Sequence, residues 1–337
     1  QWYPRRVHGG KSITLQHGVF QSNDLVTCYL SNSSSEVSEQ SLESMPSRSD
    51  PEKLISKADK LTKLSFTRWT ADWKSATGLY EQAANEFRVS GNRERAKAAF
   101  EMASKGHEML NSHWDAAKHM ETAASLAKDL GKWNEVADLY RKASELYILC
   151  GRPQPASDAL AKGARALEES EPPSAIAMYA DAASILEEDG KEQMTFDIYR
   201  DAANAYIKLE NYNEAAGTLL KLGLAADKCN ATHSQSKAYL GAIILHLYAN
   251  DFRVAEKCYN DCSQVEGFTK SDQFRCATKL LSAYREGDNE EIKRIGHSSI
   301  VSNLDHMIIR LARKLPTGDV GIFESEDLEE IDENDMT

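Results

Sequence analysis

From about residue 51 onward, small residues recur at Ala76, Ala96, Ala116, Val136, Ala156 and Ala175, and a large apolar residue follows each one helical turn later. The large ones are Tyr80, Phe100, Met120, Tyr140, Leu160 and Tyr179, continued by Tyr199 and Leu219. The step is about 20 residues, one helix with its turn, so two steps make a hairpin of about 40. A small side chain lets a neighbouring backbone approach, and a large one on the same face fills the groove beside it. Breakers fall between the units: "SGN" at 90–92, "LGK" at 130–132, "CGRP" at 150–153, "EPP" at 171–173 and "DGK" at 189–191. Gly past a helix end and Pro at the next start are the expected asymmetry.

No unit of this length buries its apolar stripe alone, so successive hairpins must stack. The pattern predicts an all-α fold: a right-handed α-solenoid of antiparallel helix hairpins, tetratricopeptide-like but with longer helices, with a concave and a convex face. Regularity fades after Phe268, where helical spacing persists through "SNLDHMIIRLARKL" as a C-terminal helical cap. The expected organisation is an extension over 1–50, the repeat array over 51–268, the cap over 269–318 and an acidic flexible tail over 319–337. Residues 1–50 are Ser-rich and polar, as in "SNSSSEVSEQSLESMPSRSD", without helical period, and are expected to be disordered or non-native. Met45, the first methionine, is expected to be the biological start, with residues 1–44 from a gene model; an intact mass that includes Gln1 would contradict this.

Composition narrows the function. The 337 residues carry a formal net charge of -12, with 18 Gly and 8 Pro. An acidic balance opposes binding to nucleic-acid phosphate, which needs clustered Lys and Arg, so no nucleic acid is expected as partner. No window reaches the roughly 20 apolar residues of a membrane span, and the six cysteines lack CxxC spacing, as reduced thiols in a cytoplasmic protein do.

Catalytic motifs are missing: the sequence has no GxxxxGK[ST], GxGxxG after a strand, HExxH or GxSxG. Neither enzymatic activity nor a cofactor is expected. Cys258 and Cys262, four apart with His246 upstream, are too few for a metal site and read as buried thiols. His107, His113 and His119 at six-residue spacing fall on different helix faces and read as structural or solvated. Glu168, Glu169, Glu187 and Glu188 beside turns read as solvated surface. The tyrosines at 80, 140, 179 and 199 read as inter-helix core before any base-stacking ladder.

The stretch "KLSFTRWTADWKSA" at 63–76 divides by register. Trp73 precedes Ala76 by three, as Trp133 precedes Val136, Tyr212 precedes Ala215 and Phe252 precedes Ala255. Trp73 is thus a repeat position in the core. Phe66 and Trp69 have no such counterpart and fall in the connection after the first helix, flanked by Lys63 and Arg68. Aromatic rings beside cations suit an interfacial membrane contact, and they suit equally a loop folded back on the first hairpin.

The leading amphipathic helix, this transition, the motifs "YEQAANEF", "LYRKASELY" and "IYRDAANAYIKLENYNEAA", the cap and the acidic end together resemble the soluble NSF attachment proteins, nearest the gamma type, from about Pro51 to the C-terminus. The resemblance implies a non-catalytic adaptor in vesicle-mediated and intracellular protein transport and membrane fusion. Such an adaptor binds assembled SNARE complexes, syntaxin-type four-helix bundles, at a membrane surface, and recruits and stimulates the hexameric NSF ATPase. It implies Phe66, Trp69, Lys63 and Arg68 as membrane contacts, Arg152, Arg200 and Lys237 as SNARE-facing residues, and Glu326, Asp327, Leu328, Glu329 and Glu330 as NSF-contacting. Asp158 stands where the family often has a further basic residue. The location implied is cytoplasmic, peripheral to endomembranes. The rival reading is a tetratricopeptide-like scaffold that binds a peptide of a chaperone or assembly partner; a third is a helical subunit of an enzyme.

Overall fold

A computed structural model describes residues 50–63 and 70–316. Within them lie α1 (Pro51–Thr62), α2 (Trp73–Val89), α3 (Arg93–Met109), α4 (His113–Asp129), α5 (Trp133–Leu149), α6 (Pro153–Leu167), α7 (Pro172–Glu188), α8 (Thr195–Lys208), α9 (Tyr212–Lys228) and α10 (Thr232–Tyr248). Shorter helices follow: α11 (Phe252–Cys262), α12 (Glu266–Thr269), α13 (Asp272–Glu286), α14 (Asn289–Gly296) and α15 (His306–Ala312). From α1 to α11 each helix packs against the next. The extension over 1–44, Phe66, Arg68, Trp69 and the acidic tail with Glu326, Asp327, Leu328, Glu329 and Glu330 lie outside the described residues.

Burial repeats with the sequence. The pattern of buried and exposed positions along 111–130 recurs closely along 131–150. The small positions Ala76, Ala96, Ala116, Val136, Ala156 and Ala175 are completely buried, and so are residues two turns on, Ala83, Ala103, Ala123, Ala143 and Ala182. All eight large residues from Tyr80 to Leu219 are buried against them. One face of each helix is therefore small at both ends and large between, which is the relief that neighbouring helices need to interlock.

The units also end alike. Gly91, Asn111, Gly131, Gly151, Gly190, Glu210, Asn230 and Asn250 all adopt positive φ just past a helix C-terminus. There the backbone N–H groups return to carbonyls of the last turn, as Gly131 N–H does to Lys128 and Lys132 N–H to Ala127. Glycine reaches this left-handed region freely and Asn tolerates it, whereas Glu210, at φ 58°, bears the Cβ penalty. Glu210→Gly is expected to raise stability by about 0.5–1 kcal/mol, read as a higher urea midpoint at unchanged slope.

Helix starts answer the aromatic spacing: Trp73, Trp133, Tyr212 and Phe252 are each the first residue of their helix. Trp73 and Trp133 are half-buried rather than fully enclosed, because a ring at the first turn covers the edge of the neighbouring helix and leaves one side to solvent. Asp72 and Asp251 cap two of these starts, accepting from the N–H groups of Ser75 and Val254.

After a polar first turn and a half, α10 is enclosed on every face from Ala238 to Leu247. Leu240, Ile243, Ile244, Leu245 and Leu247 are fully enclosed, since α10 packs on α9 and also carries α11, α12, α13 and α15. The shorter helices other than α14, which packs on α13, thus gather on one hydrophobic rod, and the regular period ends where that rod begins to be covered.

Candidate functional site

The predicted SNARE-facing residues separate into two places. Arg200, on α8, and Lys237, on α10, line one cleft of about 230 Å³, together with His233, Asn303, Asp305 and Ile308. α8, α10 and the start of α15 build its walls. Leu219 and Leu222 of α9 complete the floor. Both cationic residues are half-buried.

The electrostatics of this cleft are uneven. Arg200 Nη1 is ion-paired with Asp197 one turn earlier, so the helix presets its direction. Lys237 makes no ion pair among the described residues. Asp305 is engaged in its own helix, accepting from Met307 N–H at 3.0 Å and facing His306 Nδ1 at 3.5 Å. The opening therefore presents a lysine, an arginine and His233 against one occupied carboxylate, a place that suits an acidic partner side chain.

Arg152 does not line this cleft. It is the residue before α6, exposed, and among the described residues it has no ion pair. Its charge acts on Cys150, where burial pushes the thiol up and the guanidinium pulls it down. Asp158 is exposed on α6, and both basic residues of that helix are taken, Lys162 by Glu121 of α4 at 3.0 Å and Arg165 by Asp201 of α8 at 2.9 Å.

Lys63 is exposed at the end of α1. Asp72 N–H donates to Leu61 C=O at 3.0 Å, which ties the end of α1 to the residue that caps α2.

Several acidic residues are not the solvated surface that their position beside turns suggested. Glu168 accepts from Tyr179 Oη at 2.6 Å and Lys208 Nζ at 2.6 Å, and Glu187 accepts from Tyr199 Oη at 2.6 Å. Asp59 holds Tyr80 in the same way at 2.7 Å. A buried phenol must place its hydroxyl somewhere, and the acid at a neighbouring helix end supplies the acceptor. Burial first and the acid second push the Tyr80 phenol up to about 12 and those of Tyr179 and Tyr199 further still. The tyrosine series is structural core, as its spacing indicated.

The thiols are likewise interior. Cys258, Cys262 and His246 are all buried, and His246 Nδ1 meets Asn213 Oδ1 at 3.1 Å. The bond from Cys262 and then the imidazole of His246 make Cys258 the more acidic of the two. The expected separation of the histidines does not hold for two of them. Helix α3 ends at Met109, so His107 and His119 belong to different helices, and their rings stack at 5.2 Å. Six-residue spacing within one helix does not apply across that turn.

A larger groove, about 480 Å³, lies between α7, α8 and α9, lined by Tyr179, Tyr199, Tyr206, Lys221 and Lys228. None of the three predicted basic residues borders it. No helix among the described residues is long and apolar enough to cross a membrane.

Comparison with known proteins places this architecture. The family model described as "Soluble NSF attachment protein, SNAP" matches residues 49–309, more than half of the chain. The chain belongs to the SNAP family. Among SNAP relatives, the gamma-soluble NSF attachment protein of Arabidopsis thaliana is 65% identical over 289 residues, covering 86% of this chain and 99% of the relative. The protein of the same name from Dictyostelium discoideum is 29% identical over 264 residues, 78% of this chain and 82% of its own length. The vesicular-fusion protein SEC17 of Komagataella phaffii is 27% identical over 300 residues, 84% and 99%. The resemblance is thus to the gamma type of SNAP, as the transition before the first repeat indicated. The SNAP match begins at residue 49, one residue before the capping Asp50 of α1, and takes in Arg152, Arg200 and Lys237.

Proposed function

We propose that this SNAP chain is a non-catalytic adaptor that binds assembled SNARE bundles at membranes, recruits NSF and stimulates it to take the bundle apart, within vesicle-mediated transport. The convergence of Arg200 and Lys237 in one cleft carries this reading, since a rod of helices with an acidic exterior is registered by cations held at fixed spacing. Family membership and the vesicular-fusion name of a relative support the same process. Arg152, at the start of α6, adds a second contact further along the array. Phe66 and Trp69, with Lys63 and Arg68, are the membrane contact in this reading. Glu326, Asp327, Leu328, Glu329 and Glu330 form an acidic strip that reaches basic surface on the ATPase at high effective concentration. Its place of action is the cytoplasmic face of endomembranes, held peripherally.

The decisive experiment is retention of the full chain on immobilised SNARE complex, followed by NSF with hydrolysable or non-hydrolysable ATP. Retention and release only on hydrolysis are expected; a chain that never binds the complex refutes the proposal. The membrane contact is tested separately. Phe66→Ser with Trp69→Ser is expected to slow SNARE disassembly on liposomes by about tenfold, to leave disassembly of soluble bundles unchanged, and to keep the melting temperature. A melting temperature lower by several degrees would show that the two rings are packed on the first hairpin instead.

A further inference from the structure

Three side chains that the adaptor function does not use meet on the first hairpins. His107 Nε2, from α3, lies 2.7 Å from Glu81 Oε1, from α2, and His119 Nε2, from α4, lies 2.9 Å from the same oxygen. One ligand atom from each lies within 4.8 Å of the other two. Both imidazoles bring a ring nitrogen against one carboxylate oxygen, so three donor atoms of the kind that bind a borderline cation meet in one place.

The rings are also held in place. His107 and His119 stack on each other at 5.2 Å, and Phe100 stacks on His119 at 5.6 Å. Burial acts on Glu81 to raise its carboxyl, but the bonds from His107 and then His119 outweigh it and keep the group ionised. The side chains of His107 and His119 are 16% and 20% exposed, whereas Glu81 is 36% exposed. The imidazoles are the more enclosed of the three groups, and the carboxylate is the one that solvent reaches.

We propose that Glu81, His107 and His119 form a binding site for one divalent transition-metal ion of the Zn²⁺ class. The cation sits among the two Nε2 atoms and the Glu81 carboxylate, which moves apart from them to become the third ligand, and water fills the fourth position from the open side. Two imidazoles and a carboxylate suit borderline cations and not Ca²⁺ or Mg²⁺, which prefer oxygen throughout. Zn–N and Zn–O distances of about 2.0–2.2 Å require the ligand atoms to part by a few tenths of an ångström from their present contacts. The strength has a limit set by His107, whose Nδ1 is buried without a hydrogen-bond partner among the described residues. On coordination through Nε2 the proton sits on Nδ1 with nothing to accept it, so binding is weaker than at a zinc site whose imidazoles donate their second N–H. Because the ligands come from α2, α3 and α4, the ion clamps three successive helices near the start of the array. The site stands independently of SNARE binding.

The test uses the full chain freed of metal by chelation. Titration calorimetry with Zn²⁺ at neutral pH is expected to show one ion per chain and a higher melting temperature, with His107→Gln plus His119→Gln weakening binding by more than about tenfold and abolishing the thermal shift. Absence of stoichiometric binding, or equal binding by the double variant, overturns the proposal. Co²⁺ loaded into the unaltered chain gives a check that needs no variant to fold. A visible spectrum of four nitrogen and oxygen donors is expected, and a thiolate charge-transfer band would assign the ion to the cysteines and overturn the site.

Discussion

Gly163→Leu is expected to destabilise the array by about 3 kcal/mol, the largest effect of any single substitution described for this chain. A Cβ at position 163 would stand 2.4 Å from Met178 Cε and 2.9 Å from Tyr140 Cβ. The methionine end is flexible and can retreat. Tyr140 Cβ cannot, because it is fixed to the backbone of α5 and its ring is buried in the same cluster. α5, α6 and α7 therefore meet closely at Gly163, and a branched side chain there forces them apart. The glycine is kept although it costs a helix interior roughly 1 kcal/mol against alanine, so removing it for propensity alone would not help. Urea unfolding measures the change; a loss below about 1 kcal/mol would mean that the three helices separate without penalty.

Arg200→Glu combined with Lys237→Glu is expected to lower affinity for assembled SNARE complex by at least about tenfold and to flatten the salt dependence of what remains. Reversal turns two cations at the mouth of the cleft into anions beside Asp197 and Asp305. A SNARE bundle with an acidic exterior then meets like charge where it met opposite charge. Lys270→Glu combined with Lys293→Glu, at exposed lysines paired to Glu266 and Glu290, changes the net charge by the same amount and serves as the control. Unchanged helicity by circular dichroism and unchanged retention on the complex, taken together, would show that SNARE binding does not use this cleft.

Helical existence, the repeat register and the buried face are all legible in the order of residues. Small and large residues at fixed spacing reflect a one-dimensional demand: each helix must show the same relief to its neighbours, so the pattern repeats along the chain. The turns are half legible. Glycine marks Gly91, Gly131, Gly151 and Gly190, but the equivalent Asn111, Asn230, Asn250 and Glu210 escape composition, because the same positive φ is adopted by residues that do not advertise it. Glu168 and Glu187 read as solvated for a related reason. Their place beside a turn is visible in the sequence, whereas the phenol that reaches them from the following helix is not.

The candidate site divides in the same manner. Arg152, Arg200 and Lys237 stand out through their motifs, and all three lie at helix surfaces or starts where a partner can reach them. Their grouping is not visible in sequence, since which basic residues share a cleft depends on the rotation of α8 against α10 and on where α15 returns. The histidines show the opposite error. Spacing within a presumed single helix keeps His107 and His119 apart, and a turn at 110–112 folds them together.

The order of residues in this chain decides local matters: where helices start on an aromatic, where they stop, which stripe is apolar, and the SNAP family to which the pattern belongs. Those follow from propensities and burial demands that act within one turn or one repeat. Tertiary structure alone decides the meeting of Arg200 with Lys237, of Tyr179 with Glu168, and of Glu81 with two histidines, one of them 38 residues away. Each of these partnerships depends on the offset and rotation between packed helices, and a side chain's own neighbours in sequence carry no record of either.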